Sequence, residues 1–215
     1  MSLRNRAAAL AVLILPVVLS TAAAAPAAIA GAESKTFDGL YLAADVGRQD
    51  MVAGALIGGV DMLEQRQRIA GSFSAGYRKQ IGGWVLGLEG GYGLVDGGLS
   101  IDDPAQQLSV EARNSSQIFY GAQIGVIASE KHDLLFFTYV SQVERSYELD
   151  IVSMGSAFSQ TDKQGMLRFG GGLEKKISGP IHLRVSVGTA RGKFSQPVAE
   201  PSRQLEFSGG VVFQF

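Results

Sequence analysis

From Phe37 onward the chain repeats one pattern: a segment of eight to eleven residues alternating apolar with small or polar side chains, then a connection. Eight such segments lie near Leu40 to Gly47, Ile69 to Arg78, Trp84 to Val95, Gln117 to Ala128, Leu134 to Tyr147, Met166 to Lys175, His182 to Thr189 and Leu205 to Phe215. A period of two is the signature of strands with two unlike faces. The connections alternate as well. The second, fourth and sixth (Lys79 to Gly83, Ser129 to Asp133, Lys176 to Ile181) are short, and the others are long. The pattern predicts an all-β fold: an eight-stranded antiparallel up-and-down transmembrane β-barrel with tight turns at one end and loops at the other.

The sixth segment fixes which face is which. Leu167, Phe169, Gly171 and Leu173 share one side; Met166, Arg168, Gly170, Gly172 and Glu174 share the other. A slip of one residue would exchange the faces and put Arg168 into hydrocarbon, at about 2 to 4 kcal/mol near the midplane. The third segment likewise sets Trp84, Leu86, Leu88, Tyr92 and Leu94 outward and Val85, Gly87, Glu89, Gly91 and Gly93 inward. Trp84 and Tyr92 are roughly 20 Å apart along the membrane normal, close to the spacing of two aromatic girdles. The fifth segment is ambiguous, with Leu134, Leu135, Phe136, Phe137 and Tyr139 offering apolar atoms to both sides. The reading adopted turns Leu135, Phe137 and Tyr139 outward and Gln142 and Glu144 inward. A soluble barrel of the lipocalin kind would alternate with reversed polarity. Against it, the charged face is also the glycine face, which suits side chains crowding a narrow lumen.

Composition changes this picture little. The 215 residues include 28 Gly and no Cys, with 18% charged residues and a formal net charge of -1. Mean hydropathy is +0.15. Nothing is basic enough for a nucleic-acid partner, and without cysteine no disulfide or thiolate chemistry is available. At the amino end Arg4 and Arg6 precede the apolar run Ala7 to Leu19 and an Ala-rich stretch ending Ala28-Ile29-Ala30. That order is a cleavable secretory signal, its apolar part too short to span as a helix. It is assigned to residues 1–30, with the barrel domain at 31–215; cleavage within Ala22 to Ala25 remains the alternative bond.

The last segment, Leu205-Glu206-Phe207-Ser208-Gly209-Gly210-Val211-Val212-Phe213-Gln214-Phe215, resembles the carboxyl-terminal insertion signal of outer-membrane barrels. Trp84-Val85-Leu86-Gly87-Leu88-Glu89-Gly90-Gly91-Tyr92, Gly170-Gly171-Gly172-Leu173-Glu174 and Gly39-Leu40-Tyr41-Leu42 resemble strands of the OmpA-like, opacity-protein class of small barrels. The resemblance implies the outer membrane of a Gram-negative bacterium. It implies contact with outer-membrane lipid and lipopolysaccharide, and insertion by the barrel-assembly machinery with periplasmic chaperones. Phe207, Val211, Phe213 and Phe215 would carry the insertion signal. The roles it implies are envelope integrity, adhesion or slow solute passage. Because the sequence stops at the barrel, the peptidoglycan-binding domain of the OmpA plan is not expected.

Two groups of residues are candidates for function. Asp45, Glu89, Glu144, Glu174 and Glu206 with Arg168 and Arg184 are expected in the lumen, either as a plug of paired charges or as the lining of a narrow porin-like channel. Met51, Val52, Leu56, Ile57 and Val60 form an apolar run in the first long loop. That run is either an interaction patch for a host or surface ligand, or an extension of the first two strands beyond the membrane. No catalytic residue, metal site or cofactor is expected. His132 and His182 both fall at the periplasmic end, away from outer-leaflet lipid, so an enzyme is not expected. The leading expectation is a structural or adhesin-like barrel presenting four extracellular loops.

Overall fold

The computed structural model describes residues 35–57, 60–104, 107–128, 133–153, 156–192 and 202–215. The expected signal segment 1–30 and His132 lie outside the described residues. Nine strands follow in order: β1 (Gly39–Ile57), β2 (Val60–Ile81), β3 (Trp84–Val95), β4 (Gly98–Asp103), β5 (Leu108–Ile127), β6 (Leu134–Ser153), β7 (Ser156–Ser178), β8 (Ile181–Gly192) and β9 (Ser202–Gln214). Each pairs antiparallel with its neighbours. β1 pairs β9 from Tyr41↔Gln214 to Gln49↔Glu206, which closes the barrel. β4 continues β3 after a break at Asp96-Gly97: β3 pairs the lower part of β5 and β4 the upper part. The wall therefore has eight strands, β3 and β4 together counting as one.

The tight turns close through glycine. Gly82 has φ +58° and Gly179 has φ +52°, the left-handed region where a Cβ is disfavoured. These turns mark one rim, which is called periplasmic here from the resemblance above.

Alternation sorts the two faces. Trp84, Leu86, Leu88 and Tyr92 of β3, Leu167, Phe169 and Leu173 of β7, and Leu183, Val185 and Val187 of β8 are exposed on the outer surface. Their inward neighbours Val85, Met166, Glu174 and Arg184 are buried. An outer surface so apolar is stable only against hydrocarbon. No helix among the described residues is long and apolar enough to cross a membrane; this chain crosses with strands.

β6 departs from the sequence expectation. Leu135 and Phe137 are buried, packed with Phe37 and Val85 at the periplasmic mouth and flanked by Tyr139. Phe136 and Val140 are the lipid-facing residues. Gln142 and Glu144 consequently face outward, and Ser141, Val143, Arg145 and Tyr147 face the lumen. The physical reason lies in the register with β7, where Phe137 pairs with Gly172 and Tyr139 with Gly170. A Cβ at Gly172 would stand 2.7 Å from Phe137 Cζ. The inward glycines leave room for these rings and for the β8 carbonyls of Val185 and Val187, which a Cβ would approach more closely still.

The strands also run longer than the apolar alternation. β1 and β2 stay paired up to Ile57↔Val60, so Met51, Val52, Leu56, Ile57 and Val60 belong to the arms of a hairpin, the strand-extension reading of that run. β5, β6 and β7 stay paired up to Leu108↔Ser153 and Ser153↔Ser156. Among the described residues the β7–β8 pairing runs from Met166↔Gly192 to Ser178↔Ile181.

Candidate functional site

Two regions carry the side chains from which a function can be argued, the lumen and the projecting sheet. In the lumen, alternation delivers inward side chains from every wall strand, and the charges arrive in two layers. The lower layer centres on Arg78. Its guanidinium makes two hydrogen bonds to Glu174, at 2.7 and 2.8 Å, with both side chains fully buried. It also lies over the Tyr41 ring at 3.9 Å. His182 Nδ1 is 2.8 Å from the same carboxylate, and its ring meets Phe37 edge-on at 5.2 Å. Tyr41 donates its hydroxyl to Glu89 at 2.7 Å, and Gln123 donates to Tyr41 at 3.1 Å. Arg184 joins Glu89, at 2.7 Å, to Asp45.

The upper layer centres on Arg145. It donates to Gln204 at 2.5 Å and to Gln117 at 3.1 Å, and lies 3.5 Å from Glu206. Arg168 donates to Ser141 at 2.9 Å, contacts Glu206 at 3.5 Å and lies over the Phe119 ring at 4.5 Å. Between the layers is a cavity of about 90 Å³ with a mixed lining, in which Asp45, Glu89, Arg184, Arg168, Glu206 and Ser186 stand beside Phe119 and Phe137. Below the lower layer, Phe37, Val85, Leu135 and Phe137 form an apolar stopper. Among the described residues, the ion pairs of these two layers set Arg78, Arg145, Arg168 and Arg184 against Asp45, Glu89, Glu174 and Glu206. Buried charges persist only where they are paired, and this set is cross-linked from wall to wall.

Six of the seven charges expected in the lumen lie there. Glu144 is the exception: it is half exposed on the outer face and pairs with Lys163 at 2.8 Å. The misread β6 also hid Arg145, which the opposite parity brings inward. Arg78 was legible, since Phe73, Ala75 and Tyr77 alternate with Ser72, Ser74, Gly76 and Arg78. Of the expected insertion residues, Phe207, Val211 and Phe215 are exposed on the outer face. Phe213 shares their parity but is covered, 7% exposed, with its ring 5.0 Å from that of Phe215. His182 is buried in the lower layer and held between Glu174 and Phe37. Among the described residues no group of His, Cys, Asp and Glu has the arrangement of a metal site.

The projecting sheet carries exposed charges. Arg113 binds Glu111 at 2.9 Å and Asp150 at 3.5 Å across β5 and β6. Hydrogen bonds from Arg113 hold the Glu111 carboxyl below the usual carboxylate range. By sequence β4 to β7 carry Asp102, Asp103, Glu111, Glu148, Asp150 and Asp162 above the belt, against Arg113 and Lys163.

A closed eight-stranded antiparallel barrel with an apolar outer belt and a paired, charged lumen defines the class of small outer-membrane β-barrels. No family model matches the sequence, and no curated protein matches it. Among solved structures the chain is similar to Ail, the attachment invasion locus protein of Yersinia pestis, with a TM-score of 0.50 at 11% identity over 83% of this chain and 99% of that one. Ail in complex with the heparin analogue sucrose octasulfate gives a TM-score of 0.50 at 10% identity, with the same coverage. Neisserial surface protein A is 15% identical over 83% of this chain and 98% of that one, with a TM-score of 0.46. At such identities the likeness to Ail shows the fold.

Proposed function

We propose that this is a non-enzymatic integral protein of the bacterial outer membrane whose barrel holds a projecting β-sheet outside the cell as a surface for interaction. The observation that carries this reading is the length of the strands. β6 stays paired with β5 and β7 from Leu135 to Ser153, roughly 50 Å along the membrane normal against a belt about 25 Å tall. Export by the amino-terminal signal and insertion through the exposed Phe207, Val211 and Phe215 belong to the same reading. The partner's chemistry is not that of the heparin analogue bound by Ail. The acidic excess on β4 to β7 repels a polyanion and favours a basic partner.

The test is adhesion of cells displaying the full chain against cells in which the hairpin is cut back to a turn joining Glu148 to Thr161, the pair that faces across β6 and β7. Weaker adhesion to a host-cell monolayer with unchanged surface display supports the reading; equal adhesion returns the protein to a purely structural role. A narrow channel is the second reading, favoured by the cavity between the two charged layers. It requires conductance in planar bilayers that changes when Arg168 is neutralised, whereas the paired plug gives a silent bilayer.

A further inference from the structure

The buried arginines of the lumen are not all met in the same way. Arg78 holds Glu174 at 2.7 and 2.8 Å, and Arg184 holds Glu89 at 2.7 Å together with Asp45. Arg145 is as deeply buried as Arg78, yet its hydrogen bonds go to the neutral amide oxygens of Gln117 and Gln204. The carboxylate paired with it, Glu206, stands 3.5 Å away and is shared with Arg168, so two arginines have one acid between them. Asp50, at a similar height, is already committed to the Gln65 amide at 2.8 Å and the Leu205 N–H at 3.0 Å.

The amides around Arg145 supply a second, independent observation. An arginine only donates, so it fixes the oxygen of Gln204 toward itself and turns the amide nitrogen away. Gln164, opposite Arg145 across β6 and β7, gives its oxygen to the Tyr147 hydroxyl at 2.8 Å. Gln49 faces Glu206 across β1 and β9 and lines the cavity between the two layers. Among the described residues, the side-chain nitrogens of Gln49, Gln164 and Gln204 have no hydrogen-bond partner, although these residues are only 4%, 2% and 0% exposed. Arg68, opposite Gln49 across β1 and β2, adds an unpaired Nε; the unpaired acceptor at this height is Glu206 Oε1. Buried donors go unpaired rarely, and a bound water or ion is one of the ordinary reasons. Here donors from β1, β2, β7 and β9 surround an arginine with half an acid to itself. A sugar or other polyol would bring further donors. An oxyanion brings acceptors alone, and the missing charge with them.

Arg145 is the eleventh residue after Leu134, roughly 29 Å above the periplasmic rim against a belt about 25 Å tall. This level is therefore the outer mouth of the lumen, at the end opposite the Phe37 stopper. We infer that it binds one small oxyanion, a sulfate, phosphate or carboxylate, through Arg145 and the amide N–H groups of Gln49, Gln164 and Gln204. The site lies in the lumen, apart from the projecting sheet, and needs only the closed barrel.

The test is calorimetric titration of refolded protein in detergent with sodium sulfate, phosphate or acetate, at an ionic strength held constant with chloride. One anion per barrel is expected, and the anion that binds most tightly names the source; no binding of any of the three overturns the site. Gln49→Leu is expected to bind at least about tenfold more weakly. Its urea midpoint in chloride, read by Trp84 fluorescence, should not fall, because the substitution removes a donor that was unpaired. A lowered midpoint with unchanged anion binding would make Gln49 a packing residue and overturn the site. Gln204→Glu places a carboxylate against Arg145 and should raise the midpoint in chloride while abolishing anion binding; binding as tight as in the unmodified chain also overturns the site. If Gln49→Leu fails to fold, Gln204→Glu decides. Heat-modifiable migration on a gel reads the barrel separately: its absence in the unmodified chain refutes the outer-membrane reading and the site with it.

Discussion

Gly172 and Gly90 sit on opposite faces of the same barrel wall, and they are glycine for different reasons. At Gly172 a methyl group would collide first with the Val185 carbonyl of β8 and then with the Phe137 ring that fills the lumen, whereas at Gly90 it would find ordinary contact distance and empty space. The inner face is a packed interior in which glycine on one strand is the complement of an aromatic ring on the next. The outer face is solvated by lipid, and its shape is free to serve something other than folding. The same contrast separates two glutamates: Glu174 is sealed in the lumen between Arg78 and His182, while Glu144 stands outside against one lysine.

The largest expected effect is at the socket. Gly172→Leu should prevent the barrel from closing over Phe137, read as loss of heat-modifiable migration, while Gly90→Leu should migrate as the unmodified chain does. Next comes the charge interior. Arg78→Met leaves Glu174 buried without its bidentate partner and should cost about 3 to 5 kcal/mol, measured by urea unfolding in vesicles with Trp84 fluorescence as the probe. Adding Glu174→Met should recover most of that loss, since an apolar pair of similar volume removes the orphaned charge. On the outer face, Glu144→Gln should shift the same unfolding curve by less than about 1 kcal/mol, as exposed pairs do. An effect as large as that of Arg78→Met would return Glu144 to the lumen.

The smallest effect concerns pH at the projecting sheet. Because Arg113 lowers the Glu111 carboxyl, the stabilisation this pair gives is present above the ordinary carboxylate range and is lost as pH falls through the depressed value. Amide exchange at the upper β5–β6 pairing should therefore rise in acid, and Glu111→Gln should flatten that dependence.

What the sequence disclosed follows the distribution of polarity. β7 was readable because Arg168 and Glu174 mark one face and Leu167, Phe169 and Leu173 the other. β6 was not, because Leu135 and Phe137 serve a periplasmic stopper while Phe136 and Val140 serve lipid, so both faces are apolar near its start. A hint of its parity lay in its neighbour: Gly170 and Gly172 face inward with Arg168, and they leave room for the inward Tyr139 and Phe137 beside the β8 carbonyls. Glu144 and Arg145 follow from that one choice. The projecting hairpins left a fainter trace, since strands with solvent on both faces need no alternation to stay paired. Residues such as Gln160, Thr161 and Gln164 give no periodic signal.

The register of β6 in a lipid-facing wall is the point on which the rest depends, and a chain without cysteine makes it directly measurable. Single cysteines at 135, 136, 139 and 140, labelled with bimane in vesicles of brominated lipid, report whether each position meets acyl chains. Strong quenching at 136 and 140 with little at 135 and 139 is the expected result. Quenching at 135 and 139 instead would reverse the strand, and quenching at none of the four would contradict the transmembrane barrel.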